Sequence, residues 1–138
     1  IFMELIQWAD KYLTGFKEID NQHKGLVILI NELFTLMQQG KAKKHLGEIF
    51  DHLTDYTKKH FFEEEKMMVK YAYKEYTQHK EEHKKFIEQL AKFKTEFAQN
   101  KITISIEMLN FLKQWLLNHI LVTDMKYVPH IKQVEINY

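Results

Sequence analysis

Residues 76–86 read YTQHKEEHKKF and set His79 and His83 four residues apart inside a strongly helical run. Residues at that spacing lie about 40° apart around a helix and one turn along it, so both imidazoles can aim at one point. Two neutral ring nitrogens converging from one helix face make half of a metal site. Taken alone, the pair reads equally well as solvated histidines on a charged helix. The surrounding residues decide, because Tyr76, His79, His83, Phe86, Leu90, Phe93 and Phe97 step alternately by three and four, the spacing of a buried bundle seam. The histidines therefore face a core, and a core histidine pair needs polar company.

The same inward stepping recurs on both sides. Asp20 is a good N-cap, and after it His23, Leu26 or Val27, Ile30, Leu33 or Phe34, and Met37 form one apolar stripe that ends at Gly40. After a connection from Gly40 to Lys44, a second helix carries Leu46, Ile49, Leu53, Tyr56, His60, Glu64, Met67 and Tyr71 inward. The helix holding His79 runs from about Tyr73 to Gln99. Past a turn at Asn100, Thr103 or Ser105 caps a fourth, with Met108, Phe111 or Leu112, Trp115, His119 and Val122 as its core face. Residues 1–18 sustain no period and are broken by Gly15; they read as an arm whose Phe2, Ile6, Trp8, Leu13 and Phe16 pack on the bundle. The expected fold is all-α: an antiparallel up-down-up-down four-helix bundle in a single domain over residues 1–138, with an arm (1–18), a bundle (19–128) and a C-terminal tail (129–138).

Composition agrees with a helical reading, with 45% hydrophobic residues, one proline and four glycines. Lys and Arg total 20 against 19 Asp and Glu, and a formal charge of +1 offers no field for nucleic acid or an anionic membrane. The basic runs Lys41 to Lys44 and Lys80 to Lys85 are solvated helix faces. Cysteine is absent, which excludes disulfides, thiolate nucleophiles and Cys-bound metal. With no apolar run of membrane length and no basic flank or cleavage signal at the start, the expected compartment is the cytoplasm. The first residue is Ile rather than Met, which suggests trimming or excision from a longer chain.

Each inward stripe turns polar at one place: His23 on the first helix, His60 and Glu64 on the second, His79 and His83 on the third, His119 with Asp124 on the fourth. In an antiparallel bundle these positions fall at one level. Left uncompensated, such a cluster would cost several kcal/mol per group, so it should hold something. Seven donors exceed the six positions of one octahedral metal, which points to two metals bridged by Glu64 and Asp124, with a solvent-derived oxo or hydroxo bridge and one position left open. Imidazole with carboxylate suits iron better than magnesium or calcium, and ligand type leaves zinc and manganese open. Leu26, Phe61, Trp115, Leu116 and Ile120 would wall the open position with apolar groups, and they also read as ordinary core. A step of five from His119 to Asp124 spans about 140° on an ideal helix, so the fourth helix should be distorted or end there.

At these residues the chain resembles the hemerythrin family, specifically a bacterial hemerythrin domain. The matching pieces are I-D-N-Q-H at Ile19 to His23, H-F-x-x-E at His60 to Glu64, H-x-x-E-H at His79 to His83, and W-L-x-N-H-I-x-x-x-D at Trp115 to Asp124, followed by Lys126 and Tyr127. The resemblance covers nearly the whole chain and meets no departure at a ligand position. It implies that His79, His83 and His119 bind one iron, that His23 and His60 bind the other, and that Glu64 and Asp124 bridge. It implies reversible binding of dioxygen at the second iron, as a hydroperoxide protonated from the bridging hydroxide. The further expected ligands are small anions on the ferric form, with a redox partner or an oxygen-consuming enzyme as protein partner.

Other readings compete. H-x-x-E-H at His79 to His83 is also an inverted zinc-peptidase motif, with Glu82 as general base, but that reading leaves His23, His60 and His119 without work. Di-iron oxidases, peroxidases and nitric oxide-handling enzymes share the metal; oxygen-activating bundles generally use four Glu ligands, and this His-rich donor set favours binding over activation. An oxygen- or redox-sensing domain cut from a signalling protein would carry the same site. His45, His52 and His130 match no motif position and read as surface or packing residues, while Tyr127, one turn past Asp124, reads equally as a hydrogen-bond partner of the ligands or as a plain packing residue.

Overall fold

A computed structural model of the chain describes residues 4–40, 43–99 and 106–136. Phe2, the turn at Asn100 and the candidate caps Thr103 and Ser105 lie outside the described residues. Four helices, α1 (Lys17–Gln38), α2 (Lys43–Lys70), α3 (Tyr76–Ala98) and α4 (Ile106–Asn118), are followed without a break by a π-helical segment (His119–Asp124) and α5 (Met125–Ile136). α1 packs on α2, α2 on α3 and α1 on α4. α3 meets α4 through stacked Phe86 and Trp115, with ring centroids 3.9 Å apart, and through Phe93 edge-on to Phe111. Each helix thus touches its sequence neighbours and the last closes on the first, which is the antiparallel four-helix bundle.

The stripes close around a core in which Leu33, Leu90, Leu109 and Leu112 are wholly buried. Each such leucine contributes about 1.5–3 kcal/mol relative to exposure. The inward face of α2 is rotated from the expected one: Phe50, Thr57, Phe61 and Met68 are buried, while Leu46, Ile49, Tyr56, Met67 and Tyr71 lie only half-buried. Leu53, His60 and Glu64 keep their expected inward places, so the face is turned by less than one residue, because α2 packs against α1 and α3 at once and its buried face is centred between them.

α1 starts at Lys17, so Asp20 is not its cap. From the first turn the Asp20 carboxylate accepts hydrogen bonds from the Thr14 N–H (2.7 Å), the Thr14 hydroxyl (2.8 Å) and the Gly15 N–H (3.1 Å). A carboxylate there also complements the positive helix end. Gly15 has φ +90°, a conformation that only glycine adopts freely. Farther back, Asn31 exchanges two 2.9 Å hydrogen bonds with the backbone of Ile6. Ile6 and Tyr12 are buried and Trp8 and Phe16 half-buried, whereas Leu13, expected to pack, is 41% exposed, because Tyr12 at the end of a 3-10 turn takes the inward position.

α2 ends at an αL residue: Ala72 has φ 51°, and the Tyr73 N–H donates to the Met68 carbonyl, closing a Schellman turn. At the other end of the chain, residues 129–136 are helical rather than a tail, since α5 runs through Pro129 to Ile136. Tyr127 and Ile131 from α5 are wholly buried against Met68 of α2, and that second cluster holds α5 in line with the bundle.

Candidate metal centre

His23 comes from the second turn of α1, His60 and Glu64 from one face of α2, His79 and His83 from one face of α3, and His119 and Asp124 from the two ends of the π segment. All seven are 0–3% exposed. The π segment explains how residues five apart converge, because its i→i+5 bonding nearly closes a turn in five residues. His119 Nε2 lies 3.0 Å from Asp124 Oδ1 as a result. The wider turn also reorients its other residues: Ile120 and Thr123 point inward, and Val122, expected in the core, is 49% exposed.

The two carboxylates divide their oxygens between two groups of imidazoles. Glu64 Oε1 lies 2.8 Å from His79 Nε2, 2.9 Å from His83 Nε2 and 3.6 Å from His119 Nε2. Its other oxygen, Oε2, lies 3.5 Å from His60 Nε2 and 3.8 Å from His23 Nε2. Asp124 Oδ1 stands 3.0 Å from both His79 and His119, and Oδ2 stands 3.1 Å from His23. Donor atoms of Glu64, His79, His83, His119 and Asp124 thus fall within 4.8 Å of one another, as do those of His23, His60, Glu64 and Asp124.

Contacts on the far side of the rings fix which nitrogen faces in. The His83 Nδ1–H donates to Glu65 Oε2 at 2.8 Å, the His119 Nδ1–H faces Glu82 Oε2 at 3.3 Å, and the His60 Nδ1–H donates to the side-chain oxygen of Gln22. Neutral rings so held present Nε2 lone pairs to the interior. His83 and His119 Nε2 then stand 3.0 Å apart, and His79 and His119 Nε2 3.1 Å apart. Lone pairs facing at that distance repel unless a proton or a metal cation lies among them. Two cis donors about 2.1 Å from a common ion stand about 3.0 Å apart, so the spacing fits a metal. Asp124 Oδ1 and Oδ2, His23 Nε2 and His60 Nε2 are buried and lack an aligned hydrogen bond despite near neighbours, as expected of donors aimed at a shared point.

Electrostatics give the same account. Burial alone would push both carboxyls up, and for Asp124 so would the charge of Glu64; the facing imidazoles outweigh this and hold Glu64 well below, and Asp124 below, the ordinary carboxylate range. Burial opposes charge on His23 and His79 too, yet Asp124 and Glu64 raise each to about 9, and His119 is likewise raised. On His60 burial wins, and its pKa is lowered. Without metal, then, protons on these rings compensate the two carboxylates, and a cation must displace them.

The family profile described as Hemerythrin HHE cation binding domain matches residues 14–131. The chain belongs to the hemerythrin family. This hemerythrin domain is 35% identical over 130 residues to a bacteriohemerythrin of Pseudomonas aeruginosa, covering 94% of the chain and 84% of the relative. A bacteriohemerythrin of Methylococcus capsulatus is 31% identical over 128 residues, covering 92% and 97%. Among solved structures, wild-type hemerythrin superposes with TM-score 0.86 at 30% identity, over 92% of this chain and 98% of that one.

Of the apolar residues expected around the centre, Phe61 and Trp115 stack on its rings, while Leu26, Leu116 and Ile120 belong with Phe61 to the buried apolar core. Phe61 stacks on His83 with centroids 3.8 Å apart, and Trp115 stacks on His119 at 4.5 Å. Leu26, Phe61, Leu116 and Ile120 are buried, and Trp115 is half-buried. Tyr127 donates its hydroxyl to Glu64 Oε2 at 3.2 Å, and its pKa is raised well above the ordinary value by burial and by the neighbouring carboxylates. Glu82 stands 3.3 Å from the outer nitrogen of His119, and the facing imidazole lowers the pKa of the carboxyl. It therefore lies behind a ring and not before the cluster, where the peptidase reading needs its general base. Glu65 went unseen in the sequence, and Gln22 entered only as a letter of the I-D-N-Q-H motif with no role given; the signal for Glu65 was a polar residue directly beside the inward position Glu64. His45 and His52 are exposed, and His130 is half-buried with Nε2 2.7 Å from the Tyr71 carbonyl. Among the described residues no helix is long and apolar enough to cross a membrane.

Proposed function

We propose that this chain binds dioxygen reversibly at a non-haem di-iron centre, for oxygen carriage, storage or delivery. The observation that carries the reading is the division of Glu64 and Asp124 between three imidazoles and two, inside a fully buried site. His79, His83 and His119 would hold one iron, His23 and His60 the other, with Glu64 and Asp124 shared. Two ferrous ions there would supply the electrons and the open position that reversible dioxygen uptake needs. Leu26, Phe61, Leu116 and Ile120 keep bulk water from that position, which slows proton-assisted loss of the bound ligand. The outer contacts to Gln22, Glu65 and Glu82 orient His60, His83 and His119. Tyr127 holds Glu64 from the side through its hydroxyl. Small anions would compete for the same position in the ferric form, and a redox partner would return that form to the ferrous state. The donor set, five imidazoles and two carboxylates, favours binding over oxidase or peroxidase turnover.

The test is metal content per chain with the visible spectrum, taken anaerobically after reduction, then in air, then after oxygen is removed. About two irons and a colour that appears in air and fades on deoxygenation are expected. Irons that go irreversibly ferric and turn over with a reductant would instead establish an enzyme, and zinc alone would overturn the reading.

A further inference from the structure

The two halves of the centre differ behind the rings. In the three-histidine half, a carboxylate stands at Nδ1 of His83 (Glu65, 2.8 Å) and of His119 (Glu82, 3.3 Å), while His79 Nδ1 has no hydrogen-bond partner among the described residues. In the two-histidine half, His60 has only the neutral amide of Gln22, and His23 Nδ1 has no hydrogen-bond partner among the described residues. An anionic acceptor makes the imidazole a stronger donor at its other nitrogen and pins the ring, while an amide pins it without the charge. Glu65 serves this contact at the expense of easier ones. It lines a groove of about 340 Å³ with Lys58, Lys80 and Lys84, yet its carboxylate turns in to His83 and pairs with none of them. Its side chain is 19% exposed against 50% for Glu82, and its contact is shorter, so it should be the stronger of the two.

We infer that the centre fills in order, with the three-histidine half taking its metal first, and that Glu65 and, to a lesser degree, Glu82 are the positioning residues that set this order. The inference rests on the two-metal reading above. A chain at limiting metal then carries a single ion held by His79, His83, His119, Glu64 and Asp124, and the pair of His23 and His60 completes the centre only afterwards.

The experiment is an anaerobic titration of the metal-free chain with cobalt(II), followed by absorption and electron paramagnetic resonance. Two separate steps are expected, the first giving an uncoupled ion and the second a coupled pair. Glu65→Gln keeps the size and the acceptor but removes the charge; it should weaken the first step by about 10–100-fold, drawing the two steps together, while thermal unfolding of the metal-free chain changes little. Glu82→Gln should do the same more weakly. Gln22→Glu should strengthen the second step alone. Uptake of both ions in one step by the unaltered chain would overturn the order and leave two-metal binding standing, and a Glu65→Gln variant whose first step is unchanged would overturn the role given to Glu65. Saturation at one ion per chain would overturn the two-metal reading itself, and the order with it.

Discussion

The two ends of this bundle are built on different physics. Around Leu33, Phe50, Leu90 and Leu109 the helices meet through apolar side chains alone, and the requirement is shape and volume. At the level of Glu64 and Asp124 the same four helices meet through five imidazoles and two carboxylates with no solvent exposure to speak of. There, each group is tolerated only while its partners remain. The apolar end should therefore fail gradually, and the polar end should fail whenever one charge is removed.

Glu64→Ala should have the largest effect. Losing a fully buried carboxylate that faces all five imidazoles should cost the metal-free protein about 3–5 kcal/mol and abolish retention of a coupled metal pair. Chemical denaturation and metal analysis would check both; two coupled irons in the variant would refute the bridging role. At the other end, Leu90→Ala should cost about 2–5 kcal/mol through the cavity it leaves, with metal content unchanged. A loss of metal in that variant would show that the two ends are not separable. Leu116→Ala sits between them in kind. It should retain both metals but admit water, so that the oxygenated colour is lost faster on standing than in the unaltered chain.

Proton linkage sharpens the contrast further. His23 and His79 have native pKa values raised to about 9 from 6.5, so the stability they confer on the metal-free chain is complete below about 6.5 and is lost as pH rises through 9. Metal uptake must expel those protons, so apparent metal affinity should rise over the same interval. Unfolding and metal titrations at pH 6.5, 8 and 9.5 would show opposite trends; a stability and a metal affinity that both stay flat over this range would mean the rings are neutral. The smallest effect belongs to Ala72→Gly. Relieving an αL alanine at the end of α2 should stabilise by no more than about 1 kcal/mol, read as a slight upward shift of the unfolding midpoint, with nothing changed at the centre.

Much of the centre could be read directly from residue order. His60 with Glu64, and His79 with His83, are i,i+4 pairs whose common face follows from helix geometry, and the five-residue step from His119 to Asp124 itself demanded the distortion that the π segment supplies. What escaped were features whose partners lie on other helices or in the arm. Gln22 and Glu82 sit inside recognisable motifs and Glu65 on a plain helix flank, but that they stand behind His60, His119 and His83 appears only when those rings are set beside them. Asp20 looks like a helix cap because only its local sequence is visible; its donors, Thr14 and Gly15, lie in an arm with no periodic register.

Residue order alone was enough to read the chain as a bundle and to pick the seven side chains that meet at the level of Glu64 and Asp124, because helical periodicity is a local property and a buried charge can be recognised by what surrounds it in the stripe. Only the tertiary structure decided how the two carboxylates divide their oxygens, which ring nitrogens face inward, how far the face of α2 rotates, and that α5 continues past Pro129 to bury Tyr127 and Ile131. Those depend on distances between helices, and such distances are set by packing across the whole core.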